Sequence, residues 1–596
     1  MNGYDERISV LREVMRQKHV DYYVIPTADD HASEYVGEYY KVRNHYAGFT
    51  GSAGTLVIGR QTAGLWTDGR YFIQAQEQLK GSSVRLFPMG QEGIPAVAEY
   101  IERHMPEGGT LAYDGRMVDR AWGAQMEKRL AKKHARIQWE EDLAGNLWKD
   151  RPILTSRPVY ELPLSLCGKS RRDKLEELRE KVAEEDQDQV LLSSLDDIAW
   201  LLNLRGDDVE HTPVFLAFLL IDRKQAGLYA FKEAFSDEVQ TALERDGIYL
   251  KPYDQIYEDV KKLEEITLLL DSRRTNDALY RCIGKNVRVV SKDVSRFIPK
   301  AVKNTTEIDN LKRIHIQDGV AVTKFIYWLK SRVGKERITE ASAADHLEEL
   351  RKQIAGYKDL SFDTISAYGA NAAMMHYSAD PGNCAELKPE GMLLVDSGGQ
   401  YEEGTTDITR TIVLGKISDG IKKHYTLTVK SMLNLASARF LYGCTGYTLD
   451  ILARGPLWDI GVDYRCGTGH GVGYLLSVHE GPNAFRWKQN PEQEAAVLEA
   501  GMVTTDEPGV YVEGSHGIRI ENELLCCKGE KNEYGQFMHF QILTYVPIDL
   551  DGVDIQWLAP EDIRRLNAYH QSVYETLAPF MTEDERKWLK NATRPL

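Results

Sequence analysis

The chain has 596 residues, 74 basic against 90 acidic, and a formal net charge of −16. That balance argues against nucleic acid or an anionic membrane as its partner, since both carry negative charge. The length allows three or four domains, and the longest apolar run, Val214 to Ile221, is too short to cross a bilayer.

The first nineteen residues carry charges throughout and no apolar core, so they do not read as a signal peptide. Seven cysteines without a CxxC pair fit a reduced, cytoplasmic protein. Residues 1–157 read as an α/β domain, with an amphipathic helix over Ile8 to Gln17, then the strands DYYVIP and TLVIG. The glycines of GFTGSAGTLVIG lack a following Gly-Lys-Ser/Thr and mark a tight turn between strands. In WTDGRYF, Asp68 and Gly69 read as a hairpin turn flanked by Trp66 and Arg70. A proline-bearing linker, LWKDRPILTSRPVYELP, leads to a second α/β domain over 158–303. It opens as the first does, with a helix (Arg171 to Glu185), an apolar strand and an Asp-Asp pair. The third domain, 304–596, begins with a helix from Glu307 to about Lys330, capped by Thr305 or Thr306. Ile308, Leu311, Val322, Phe325, Ile326 and Leu329 supply its buried stripe, and a helical tail ends the chain.

Between Met392 and Leu525 lie LLVDSGGQYEEGTTDITRT, GTGHGVGYLLSVHEGP, TTDEPG and GIRIENEL. Met392 to Asp396 reads as a buried strand and TTDITRTIVL as its hairpin partner, which sets Asp396 near Asp407. In GIRIENEL, Arg519, Glu521 and Glu523 share the face opposite Ile518 and Ile520. Asp396, Asp407, His470, Glu507 and Glu521 thus form a set of four carboxylates and one imidazole. Gathered without a cation they would repel and take up protons. A pair of hard divalent ions such as Mn²⁺ removes that conflict. GTGHGVG does not fit G-x-G-x-x-G, and its glycines serve to let the backbone pass close to the centre. HEGPN is not HExxH, so a mononuclear zincin site is unsupported.

These motifs, with NAAMMHYSA, GSAGT and WTDGRYF, resemble the pita-bread metallopeptidase family, and within it aminopeptidase P (Xaa-Pro aminopeptidase) of the long, three-domain cytosolic type. The resemblance implies α/β and α+β architecture: two N-terminal creatinase-like α/β domains followed by a C-terminal pita-bread catalytic domain with a helical tail. It implies a dinuclear, metal-dependent aminopeptidase that cuts the N-terminal Xaa-Pro bond of peptides with a metal-bridging hydroxide. Asp407 and Glu521 would bridge two divalent ions, Mn²⁺ being the expected pair. Asp396 would complete one shell, and His470 with Glu507 the other, Glu507 also steering the water and accepting its proton. His376 and His479 match the family's non-ligand histidines, which act on the scissile carbonyl and line the proline pocket. By contrast, His315 and His424 read as satisfied core residues. Through a homodimer, Trp66 or Arg70 would help hold the peptide. Cys466 stands where many relatives carry a second histidine, and adds an oxidisable thiol.

Prolidase, which takes only Xaa-Pro dipeptides, is the nearest alternative. The extra α/β domain favours the aminopeptidase, since prolidases resemble a shorter arrangement. Methionine aminopeptidases lack the long N-terminal domains. A non-enzymatic pita-bread module that binds peptides, and the metal-free creatine hydrolases, have lost ligands that this chain retains.

Overall fold

The expected first helix runs Gly3–Gln17 (α1) and buries Ile8, Leu11 and Met15 at helical spacing. The structure, a computed structural model, describes residues 3–489 and 495–596. By packing the chain forms two units, Met1–Leu164 with Lys169–Ile298, and Pro299–Leu596 with Ser165–Gly168.

In the first unit, strands β1 (Tyr22–Pro26), β2 (Thr55–Gly59), β3 (Ala63–Thr67), β4 (Arg85–Pro88), β5 (Thr110–Tyr113) and β6 (Arg136–Gln138) form one sheet. Its order is β4-β3-β2-β1-β5-β6, antiparallel only at β1–β2 and β2–β3. After helix α2 (Arg171–Glu184) come β7 (Gln189–Leu192), β8 (Ala217–Ile221), β9 (Ala226–Ala230), β10 (Ile248–Pro252), β11 (Thr267–Leu270) and β12 (Arg288–Ser291). Their order, β10-β9-β8-β7-β11-β12, repeats the first sheet strand for strand, parallel and antiparallel pairs included. The shared opening of the two stretches therefore reflects a duplicated topology. WTDGRYF is not a hairpin: β3 ends at Thr67, and the chain turns through Asp68–Gly69 into the helix Phe72–Gln78.

The second unit starts with α3 (Thr305–Arg332). Its cap is Asn304, one residue before the expected threonines; Asn304 accepts from the Glu307 N–H while the Glu307 side chain reaches back to the Asn304 N–H. Of the expected stripe, Leu311, Val322, Phe325, Ile326 and Leu329 are buried and Ile308 is half-buried. Helix α4 (Glu340–Arg351) follows, then β13 (Ile365–Tyr368), β14 (Met392–Ser397) and β15 (Ile408–Val413) in an antiparallel sheet. Leu393, Val395, Ile408 and Ile412 of that sheet pack on the α3 stripe. After α5 (Asp419–Ala436), β16 (Arg439–Leu441) and α6 (Gly446–Trp458) come β17 (Gly469–Gly471), β18 (Glu480–Phe485), β19 (Val503–Asp506), the pair β20 (Gly509–Val512) and β21 (His516–Arg519), β22 (Asn522–Asn532) and β23 (Gly535–Ile542). The larger sheet has the order β16-β23-β22-β19-β17-β18. Helices α7 (Pro560–Leu577) and α8 (Glu583–Ala592) close the chain, and α7 packs Leu566, Tyr569 and Val573 into the same core as Ile518, Ile520 and Leu524.

The two sheets of the first unit meet at a buried polar cluster. Tyr253 donates from its hydroxyl to Asp30 Oδ2 at 3.1 Å, and His31 places its ring nitrogens 2.7 Å from that hydroxyl and 3.0 Å from the Ser193 carbonyl. Burial raises the Asp30 pKa from 3.8 to about 7, Arg116 opposing and Asp114 and Asp29 adding to the rise. A carboxyl with a raised folded value holds its proton more tightly in the native state. Its contribution to stability is therefore present at low pH and lost as pH rises through about 7. Asp30→Asn, which keeps the neutral shape, should raise the thermal unfolding midpoint more at pH 8 than at pH 5. An equal effect at both pH values would refute this origin of the strain.

Candidate metal centre

The β14–β15 hairpin does what its pattern predicts. Asp396 lies opposite Thr409 in register, and Asp407 sits one residue before β15. The Asp407 N–H donates to Glu523 Oε1 at 2.7 Å. The Glu521 N–H donates to the Thr409 carbonyl at 3.1 Å, and Thr409 Oγ1 donates to Glu521 Oε2 at 2.6 Å. From the other sheet come His470 in β17 and Glu507 just after β19. Gly469 permits their approach, since a Cβ there would lie 1.8 Å from the Thr505 carbonyl oxygen. Thr505 Oγ1 accepts from the His470 N–H at 3.0 Å and donates to Glu507 Oε1 at 3.0 Å.

Asp407, His470 and Glu521 each offer a ligand atom, all within 4.8 Å of one another. His470 Nε2 lies 3.5 Å from Asp407 Oδ2 and 3.4 Å from Glu507 Oε1. Its Nδ1 lies 3.0 Å from the Gly471 carbonyl, which fixes the hydrogen on Nδ1 and turns the Nε2 lone pair toward the carboxylates. Burial, then Glu521, Asp396 and Glu507, push the Asp407 pKa well above the carboxylate range. Glu521 rises for the same reasons, with Glu507 and Asp396 as its neighbours. Burial drives Glu507 up to about 7 against the opposing Arg519, and Asp396 adds to the rise. Asp396 Oδ1 is buried without a hydrogen-bond partner. Mutually repelling oxygens, an orphaned acceptor and an oriented imidazole are what hard divalent cations satisfy, so the donor set fits such ions.

Arg519 is held rather than available. Its Nη2 pairs with Asp396 Oδ2, Nη1 donates to Tyr511 Oη at 2.6 Å and Nε to Thr409 Oγ1 at 3.1 Å. Its hydrogen-bonded link to Glu521 runs through Thr409, and the Glu521 charge also favours its cation. Its Nη2 also lies 3.4 Å from the Met375 carbonyl, which brings the His376 turn to the centre. The His479 ring stands edge-on to His470 with centroids 4.3 Å apart.

Several residues support the centre in ways their local sequence does not signal. Glu480, next to His479, is buried between Lys300 Nζ at 2.9 Å and Lys303 Nζ. His315, read as a satisfied core residue, lies 2.8 Å from the Leu311 carbonyl through Nδ1 and 3.0 Å from Glu523 Oε1 through Nε2. Burial disfavours its cation, but Glu523 raises its pKa above the ordinary value. Burial and Glu507 push the Cys466 thiol up to about 12, so it is a poor candidate for the oxidisable group expected there.

Trp66 corrects an expectation. It is 0% exposed, stacks on Phe87 with centroids 4.0 Å apart and donates through Nε1 to the Pro95 carbonyl at 2.8 Å. It is a core residue of its sheet and presents no face to a peptide. Arg70 keeps partial exposure and is gripped by Asp68 at 2.9 and 2.8 Å.

Comparison with known proteins identifies the family. The model for metallopeptidase family M24 matches residues 309–528, and its C-terminal region matches 536–596. Models for the creatinase/prolidase N-terminal domain match 7–138 and 150–307. Aminopeptidase P1 of Arabidopsis thaliana is 36% identical, with 99% of both chains covered. A probable Xaa-Pro aminopeptidase P of Botryotinia fuckeliana is also 36% identical, covering 99% of this chain and 93% of its own. The chain belongs to the aminopeptidase P family. It is a metallo-exopeptidase with two creatinase-type domains before a pita-bread catalytic domain. The crystal structure of X-prolyl aminopeptidase from Caenorhabditis elegans, described as a cytosolic enzyme with a di-nuclear active site, superposes with a TM-score of 0.95 at 32% identity and full coverage of both chains.

Because Trp66 packs the core, Trp66→Phe should lower stability by about 1–3 kcal/mol, the usual cost of a disturbed buried site, and leave KM for an Xaa-Pro peptide unchanged. A raised KM with an unchanged unfolding midpoint would return Trp66 to the substrate site.

Proposed function

We propose that this enzyme releases the first residue of peptides whose second residue is proline. Asp396, Asp407, His470, Glu507 and Glu521 would hold two divalent ions, Mn²⁺ in our assignment, with Asp407 and Glu521 as the shared ligands. The observation that carries this reading is the meeting of Asp407, Glu521 and Glu507 with the oriented His470 Nε2. When bound, such a pair would activate a water as nucleophile and polarise the scissile carbonyl.

The chain's own groups do the rest. Thr505 fixes Glu507 through Oε1, and Glu507 receives the proton of the attacking water at Oε2. His479 and His376 donate to the carbonyl oxygen as charge develops on it, and line the proline pocket. An Xaa-Pro bond has no N–H, and the ring restricts the residue before it. A rigid pocket matched to the ring therefore selects it, where a site that needs the amide hydrogen fails. Arg519 is committed to Asp396, Tyr511 and Thr409. It is thus unsuited to gripping the carboxylate of a dipeptide, which favours the aminopeptidase over a prolidase.

A homodimer completes the proposal. Ile451, Leu452, Trp458 and Trp487 are exposed, and the two tryptophans meet edge-on at 5.7 Å. Exposed apolar side chains of this size are costly in water where they gather. If the partner's first domain approaches the peptide, Arg70 rather than Trp66 has the exposure to meet it. A cytoplasmic location is proposed from the reduced cysteines and from the cytosolic Caenorhabditis elegans neighbour. Among the described residues no helix is long and apolar enough to cross a membrane.

Asp407→Asn should lose both ions by metal analysis, since it removes a bridge. The parent loaded with Mn²⁺ should show a higher kcat/KM on an Xaa-Pro-Yaa tripeptide than on the Xaa-Pro dipeptide, and poor turnover when alanine replaces the proline. Preference for the dipeptide would make the enzyme a prolidase, and full activity of a metal-free preparation would end the dinuclear reading. A single-chain mass by light scattering at full activity would remove the dimer.

A further inference from the structure

The segment that carries His376 is tied at both ends and in the middle to one carboxylate. Glu340 opens helix α4 and is 0% exposed. Its Oε1 accepts from the Tyr368 N–H at 2.6 Å and from Asn371 Nδ2 at 2.9 Å. Its Oε2 accepts from Tyr377 Oη at 2.9 Å and from the Ala385 N–H at 2.8 Å. The Glu340 N–H in turn donates to the Ala385 carbonyl at 3.0 Å, and Thr339 bridges to Glu386. All its strong acceptor positions are engaged, and all by the stretch 368–385.

That stretch has little regular structure of its own. Beyond the short turn Gly369–Ala373 it runs as bends and irregular chain to Ala385. Its first part lies against β21, where a Cβ on Gly517 would come within 1.7 Å of the Ala372 carbonyl oxygen. Met375, beside His376, touches Arg519. An irregular segment of this length has many conformations to lose, and four hydrogen bonds to one buried anion select among them. Tyr377 makes the link direct, because its hydroxyl is on Glu340 while its backbone is bonded to His376.

We propose that Glu340 is a positioning residue for the reaction, setting the His376 imidazole through the 368–385 segment without touching substrate or metal. This rests on the reading of His376 as a catalytic donor. A donor displaced by about 1 Å forfeits up to roughly 10²-fold in rate.

The test is a double-mutant cycle on the Mn²⁺-loaded enzyme with an Xaa-Pro-Yaa tripeptide. Glu340→Ala should lower kcat roughly 10- to 100-fold, within the scale of such a misplacement, with KM little changed and both ions retained. Glu340→Gln, which keeps the shape and one oxygen, should fall between it and the parent. In the His376→Ala background Glu340→Ala should cost nothing further, since the group it positions is gone. If Glu340→Ala does not fold, Tyr377→Phe removes one of the four bonds and should show a smaller loss of the same non-additive kind. The same fold-loss in both backgrounds overturns the positioning role and leaves the catalytic reading of His376 intact. Undiminished kcat in His376→Ala alone overturns both.

Discussion

Four carboxylates share one buried site, and the rest of the catalytic domain is built to make that tolerable. Two like charges about 4 Å apart repel by roughly 4 kcal/mol at the effective dielectric of a protein site. The fold answers by tying three of the acids to a donor: Asp396 to Arg519, Glu521 to Thr409 and Glu507 to Thr505. Asp407 is fixed through its backbone, which donates to Glu523. These ties set direction but leave charge uncompensated, and burial first, then the neighbouring carboxylates, push Asp407, Glu507 and Glu521 toward their protonated forms. A pair of cations at the centre would invert that balance and turn repulsion into ligation.

A second layer of buried charge holds the layer proposed to meet substrate. Glu480 is clamped by Lys300 and Lys303 beside His479, and Glu340 gathers the segment that bears His376. His315 supports Glu523, which supports Asp407. Each device places a carboxylate with its partners where water is excluded, so each is costly to leave half-made and rigid when complete. The proposed catalytic groups lie in loops or at strand ends, and the rigidity comes from these anchors.

Much of the centre was legible in the sequence because its signals are local. Alternation in TTDITRTIVL predicts the hairpin that sets Asp396 beside Asp407, and the period-2 pattern of GIRIENEL separates Ile518 and Ile520 from Arg519 and Glu521. The helical stripe from Leu311 to Leu329 was equally plain. What escaped depends on long-range pairing. Arg519 and Asp396 are 123 residues apart, and Lys303 and Glu480 are 177 apart, so no window contains both partners. Thr409 lay in a predicted strand, and only the fold shows its hydroxyl and that of Thr505 aimed at carboxylates. Trp66 looked like a ring flanking a turn, but β3 lies inside its sheet and Phe87 covers it. The duplication of the two N-terminal sheets showed in sequence only as a similar opening, because topology survives when side chains do not.

The central claim is that the buried acids are held together by cations and carry protons in their absence. Calorimetric titration of Mn²⁺ into the metal-free enzyme at pH 6, repeated in buffers of different ionisation enthalpy, measures ions bound and protons released together. The account predicts about two ions per chain, with net proton release that falls as pH is raised, because ligand deprotonation accompanies binding. Binding of about two ions without proton release at pH 6, or no saturable binding, would contradict it.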